Sequence, residues 1–165
     1  LSALQTTQPD APQQPQAVAL ALWFHDAVYM PWRPLNEERS AEWASRFLTA
    51  QKLPPSLVQS VHQFVLDTRH DSGPLAGDAQ WVVDIDLAVL GQPDAAYRQF
   101  ERHVRREYFF VRWPRYVAGR SAVLQGFLAR ARIYGTDWFH ARYEETARMN
   151  LTPALAALAQ DRLYG

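Results

Sequence analysis

The sequence predicts an all-α fold, a single-domain multi-helix bundle over residues 1–165, and three observations carry that expectation. Apolar residues recur three and four apart along most of the chain, the period of a helix with one buried face. No convincing hairpin signal and no internal repeat interrupts the pattern, which leaves helices packed on helices. A hydrophobic content of 48%, with six Trp, seven Tyr and eight Phe, is enough to fill one core at this length.

The opening QTTQPDAPQQPQ is polar and proline-rich, a surface loop. AVALALWFHDAVY then reads as a helix, apolar nearly all round and therefore central, which the prolines of MPWRPL end. Asn36 is placed to cap NEERSAEWASRFLTAQ, with Glu37 and Glu38 in a first turn that favours acids. Ala41, Ala44, Phe47 and Leu48 form its apolar stripe. Pro54 and Pro55 open SLVQSVHQFVLDTRH, on which Leu57, Val61, Phe64 and Val65 share a face. HDSGPLAG is a loop. DAQWVVDIDLAVL ends at Gly91; its VVDI centre has strand propensity, but its length and the glycine stop favour helix. Pro93 and Asp94 start the long helix DAAYRQFERHVRREYFF, with Tyr97, Phe100, Val104 and Tyr108 on one side. YVAGRSAVLQGFLARARIY follows. Gly135, Thr136 and Asp137 separate it from WFHARYEETARMNL, and Pro153 begins a last amphipathic helix. The total is about eight helices.

The 17 basic and 17 acidic side chains balance to zero formal charge, so neither a polyanion-binding tail nor an extended nucleic-acid surface is expected. Cysteine is absent, which removes disulfides, thiolate metal sites and a Cys nucleophile. Any metal must be held by His, Asp or Glu. No apolar run approaches the roughly 18 residues of a membrane span, and no signal peptide is visible; a cytoplasmic protein without a membrane partner is expected. The chain begins at Leu1, inside what reads as a helix, and the N-terminal segment is expected to continue upstream of it.

Three features bear chemistry. His25-Asp26 lies near the end of the apolar helix LALWFHDAVY, where an imidazole and a carboxylate are costly unless both are satisfied. Metal coordination satisfies them, although the dipeptide alone is a common chance pairing. Neighbouring helical residues diverge by about 100°, so both reach one ion only near a helix end. In DIDLAVLG, Asp84 and Asp86 are two apart and face different sides of a helix. One carboxylate then points at a site while the other caps or pairs elsewhere. In DTRHD, His70 ends a helix; it is either a dipole partner or a ligand, phosphate donor or general acid. His62 is assigned to an exposed face, and His103 and His140 to structural or solvated positions.

The stretches ALALWFHDAVY, NEERSAEWA, TRH, DIDLAVLG, REY, YVAGR, VLQGFLARARIYGT and ETARMNL, taken in this order, resemble the HD superfamily, in particular its predicted metal-dependent phosphohydrolases. The resemblance spans nearly the whole chain and implies an enzyme hydrolysing a phosphate ester, a nucleotide by analogy. It implies a divalent metal ion (Mn, Fe, Co, Ni, Zn or Mg) held by His25, Asp26 and Asp86, with Asp84 the alternative to Asp86. A metal in such a site lowers the pKa of bound water and neutralises phosphoryl oxygens. The catalytic set it suggests is Asp26, which orients or deprotonates the water, with His70 and Glu37. Arg33, Arg39 and Arg120 are the candidates to clamp the phosphate, since guanidinium binds it bidentately. The family pattern departs in two places. Asn36 stands where many relatives carry His ahead of Glu, which suggests one ion rather than two. The expected upstream His ligand does not occur among residues 1–24. Both departures support an alternative, a catalytically degenerate module that binds a nucleotide or a protein partner. A third reading makes Trp32, Trp113 and Trp138 the interface of a homodimer.

Overall fold

Residues 11–30, 35–70 and 75–160 are described by a computed structural model; they form seven α-helices and one 3-10 turn, with no strand among them. In chain order these are α1 (Pro15–Phe24), α2 (Asn36–Ala50), α3 (Pro55–Asp67), α4 (Gly77–Asp86), the 3-10 turn Leu87–Gly91, α5 (Asp94–Glu107), α6 (Trp113–Ala129) and α7 (Asp137–Ala159). No described helix is long and apolar enough to cross a membrane.

α1 has proline in its first turn, where the missing N–H has no intrahelical role. Its entry is held by a distant carboxylate: Asp78 of α4 accepts from the Gln13 and Gln14 N–H groups, at 2.6 Å each. The apolar stripes of α2 and α3 face each other and close over α1. Ala17, Ala21, Ala41, Ala44, Val61 and Val65 in that core are fully buried. Small residues at these positions let the three backbones approach closely.

A second core gathers Leu87, Leu90, Tyr97, Leu124, Tyr134 and Leu151 from the C-terminal half. α4 is the wall between the two. Val82 belongs to the first core and its neighbour Val83 to the second, and Ile85 touches both. Successive helical residues diverge by about 100°, so one short apolar helix serves two sides. Burying each large aliphatic or aromatic side chain contributes about 1.5–3 kcal/mol, and α4 draws on both cores.

The structure corrects several expected elements. α1 stops at Phe24 and is buried on one face only; Trp23 is 82% exposed. Pro153 starts no new helix. α7 runs through it, and the Thr152 hydroxyl donates to the Arg148 carbonyl at 2.8 Å beside the lost backbone bond. The carbonyl freed by Pro153 belongs to Met149, on the exposed side. The Gly91 stop does occur, for a tertiary reason as well: a Cβ there would lie 2.7 Å from the Tyr143 Cβ, so only glycine lets α7 pack so closely. Trp113 and Trp138 are partly buried against the second core, and Trp32 lies outside the described residues.

Candidate metal centre

Three segments deliver side chains to one place. His25 follows α1 directly and keeps helical backbone angles, its N–H bonding the Ala21 carbonyl at 2.8 Å. The turn that carries His25 and Asp26 is clamped by α2. The Val28 N–H donates to Ser40 Oγ (3.0 Å), the Met30 N–H donates to Asn36 Oδ1 (3.2 Å), and Asn36 Nδ2 donates to the Met30 carbonyl (3.1 Å). Asn36 is therefore not the cap of α2. Leu35 takes that position with a φ of 68°, and no side chain caps the helix. The NEERSA motif works instead through Asn36 and Ser40 as the clamp of the His-Asp turn, a role the sequence reading missed.

α3 ends at Asp67 with Thr68 as its cap. His70 lies three residues beyond the helix, not at its end, with a φ of 58° in the left-handed region that a non-glycine residue rarely adopts. The Arg130 guanidinium donates to the His70 carbonyl at 3.2 Å and lies over Phe127, whose ring meets the His70 ring edge-on. Asp86, the last residue of α4, completes the set.

His25 Nε2 lies 3.3 Å from Asp26 Oδ2 and 3.2 Å from Asp86 Oδ1, and His70 Nε2 lies 2.9 Å from Asp86 Oδ2. His25, His70 and Asp86 are largely shielded, whereas the Asp26 side chain is 64% exposed and opens the cluster to solvent. The second nitrogen of His25 is committed: Nδ1 lies 2.8 Å from the Leu22 carbonyl, which can only accept. Nδ1 therefore carries a proton, and Nε2 turns its lone pair toward two carboxylates unless it too is protonated. Contacts with Asp26 and then Asp86 outweigh burial and raise the His25 pKa to about 10. Burial pushes the Asp86 carboxyl up, but contacts with His25 and His70 more than offset it and hold it at about 2. His70 Nδ1 is buried with no hydrogen-bond partner.

His25, Asp26 and Asp86 are of the residue types that bind divalent cations. A lone pair and two carboxylates meet where only a proton or a metal relieves the repulsion, and a backbone carbonyl fixes the imidazole tautomer, as around many metal-binding histidines. Metal bonds of about 2.1 Å place adjacent ligand atoms roughly 3 Å apart, the spacing seen here. The contacts are pairwise, and only the one between His70 and Asp86 has hydrogen-bond geometry; among the described residues no group of three or more His, Cys, Asp or Glu side chains is placed to hold a metal ion. His25, Asp26 and Asp86 would hold the ion, with His70 on the outer oxygen of Asp86. Nitrogen and oxygen ligands without sulfur suit Mn, Fe, Co, Ni or Zn, while Mg takes more oxygens.

Asp84 is not part of this cluster. It is fully buried and accepts from Gln80 Nε2 (2.7 Å), the Gly135 N–H (3.0 Å), the Thr136 N–H (2.8 Å) and the Thr136 hydroxyl (2.6 Å). It anchors the loop before α7, and Asp86 is the carboxylate at the site. Arg120 does not present a free guanidinium either, since it forms two hydrogen bonds with buried Glu101 at 2.6 and 3.1 Å. Glu37 and Arg39 are half-buried on the first turns of α2; Arg33 lies outside the described residues. The neighbouring Glu38 pairs with Arg69 at 2.7 Å and joins the start of α2 to the end of α3, and that pairing holds its carboxyl below the usual range. His62 is no exposed residue. Its Nδ1 lies 2.9 Å from Ser45 Oγ, tying α3 to α2.

No protein-family model matches the chain, and no match was found among curated proteins or among solved structures.

Proposed function

We propose that the chain is a metal-dependent phosphohydrolase acting on a phosphate ester in the cytoplasm, with a nucleotide the substrate class that the HD resemblance implies. The observation that carries this reading is the meeting of His25, Asp26, His70 and Asp86 from three separated segments, with a tautomer-fixed imidazole facing two carboxylates. In this reading His25, Asp26 and Asp86 hold one divalent ion. When bound, it supplies a Lewis acid that neutralises charge developing on phosphoryl oxygens. Asp26, the exposed carboxylate, orients the attacking water and takes its proton. His70 holds Asp86 through Nε2 and is the candidate proton donor to the leaving group. Arg39 is the candidate phosphate clamp and Glu37 a further acid or base; both sit on the helix that clamps the His-Asp turn.

Elemental analysis of the purified protein tests this first. About one transition-metal ion per chain, lost in His25→Ala, is the expected result. Hydrolysis of p-nitrophenyl phosphate and of nucleoside monophosphates should then require that metal and disappear in Asp26→Ala while the variant stays folded. Retained activity in either variant would sink the reading. The engagement of Asn36 with the Met30 backbone favours a second reading, a non-catalytic module that binds a nucleotide or a protein partner. It expects ligand binding that raises the melting temperature equally with and without EDTA.

A further inference from the structure

A cleft of about 760 Å³ opens between the end of α5 and the first half of α6. Tyr108, Phe110 and Tyr116 line it, and its charged lining residues are Arg112, Arg115 and Arg120, with no carboxylate among them. The three arginines differ. Arg120 is neutralised by Glu101. Arg112 and Arg115 are exposed, and neither guanidinium has a hydrogen-bond or ion-pair partner among the described residues. Both sit at the N-terminus of α6, Arg112 at the cap and Arg115 in the first turn, where no acidic residue accompanies them. The helix dipole is positive at that end and disfavours cations. α5 obeys the opposite and favourable order, with Asp94 in its first turn and Arg105 and Arg106 in its last. The charge at the start of α6 thus works against the helix that carries it, which is a mark of function.

The turn between the two helices is built to hold its shape. Arg105 Nη1 donates to the Tyr108 carbonyl at 2.6 Å and to the Val111 carbonyl at 3.3 Å, and its guanidinium lies over the rings of Trp113 and Tyr116. The Tyr29 hydroxyl donates to Glu107 at 3.0 Å and joins this end of α5 to the turn that carries His25 and Asp26. Aromatic walls, two uncompensated guanidiniums and a positive helix end suit one ligand chemistry, a planar ring attached to a dianion. The volume falls within the range of small-molecule sites.

We propose that the α5–α6 cleft binds a small aromatic phosphate of the size of a nucleoside monophosphate, with its ring against Tyr108, Phe110 and Tyr116 and its phosphate on Arg112 and Arg115. This binding needs no metal and does not rest on the phosphohydrolase reading. The test is titration calorimetry of the whole chain in EDTA with the monophosphates of adenosine, guanosine, cytidine and uridine, beside adenosine and inorganic phosphate as half-ligands. At least one monophosphate should bind, and at least about tenfold more tightly than either half-ligand. Combining Arg112→Ala with Arg115→Ala should weaken it at least about tenfold. Gly119→Leu should block it: Gly119 lines the cleft in mid-helix with no atom within 4 Å of where a Cβ would sit, so the longer side chain enters open space without disturbing the fold. Failure of all four nucleotides to bind would overturn the proposal. So would binding that ignores these substitutions yet vanishes in His25→Ala, a result that places the ligand at the metal cluster and leaves the phosphohydrolase reading standing. Cleft binding without any metal-dependent hydrolysis would do the reverse.

Discussion

Asp84 and Asp86 stand two residues apart on α4, and their surroundings could hardly differ more. Asp84 has no exposed surface and four donors, all from groups that stay in place: a glutamine amide, two backbone N–H groups and a threonine hydroxyl. Asp86 is partly open, and its contacts among the described residues are with the imidazole nitrogens of His25 and His70. A carboxylate satisfied by fixed donors is structure. One satisfied by titratable groups beside a solvent opening is available for chemistry. The difference arises from helix geometry, because two steps of about 100° turn the second residue to the far side.

The largest expected effect breaks the comparison on its chemical side. Asp86→Ala should abolish metal binding and lower metal-dependent phosphatase activity at least about a thousandfold, or about 4 kcal/mol of transition-state stabilisation. Asp84→Asn, in any fraction that folds, should keep the ion. Equal metal content in Asp86→Ala and the parent chain, by elemental analysis, would remove Asp86 from the site.

Stability should show the opposite ranking. Asp84→Ala removes a buried acceptor and strands part-buried donors at Gly135 and Thr136, and should destabilise the fold by about 3 kcal/mol. For a domain of this size that lowers the melting temperature by roughly 6–12 °C. Asp86→Ala in EDTA should have a smaller effect, and a larger one in thermal melts would contradict the division of labour drawn here.

The contact between His25 and Asp86 also responds to pH. The His25 pKa is raised to about 10, so in EDTA its contribution is full below its usual 6.5 and is lost as pH rises toward 10. Asp86 is held at about 2, so its contribution is present above the usual carboxylate value of about 4 and is lost as pH falls toward 2. Denaturant unfolding between pH 6 and 10 should therefore show an alkaline loss of stability in the parent that His25→Ala flattens. Added Mn²⁺ should remove it, because the ion replaces the proton. Identical alkaline slopes in both proteins would show that His25 does not hold that proton. The smallest effect is a control at neither aspartate: Gly126→Ala, in mid-α6 with open space around it, should stabilise by about 0.5–1 kcal/mol.

Much of the fold was legible because helical periodicity, proline starts and glycine stops are local signals. Pro55, Asp94 and Gly91 act where those signals put them. The helix expected to start at Pro153 was misread because a threonine hydroxyl and an exposed carbonyl let α7 absorb the proline. Asn36 was misread because a residue suited to capping found a better partner in the backbone of Met30. At the site, His25, Asp26, Asp86 and His70 were all named from sequence. Asn36 and Ser40 as the clamp, and Arg130 holding the His70 carbonyl, were not, because these contacts join distant segments.

By itself the sequence determined the helical class, the exclusion of thiolate chemistry, and the short set of histidines and carboxylates from which any metal site must be drawn. Only the tertiary structure decided which of Asp84 and Asp86 meets His25, that Arg120 is neutralised by Glu101, and that Arg112 and Arg115 at the start of α6 have no partner among the described residues. The reason is physical. Secondary structure follows from the spacing of neighbours along the chain, whereas the partner of a buried charge is set by which helices pack together, and no local pattern carries that information.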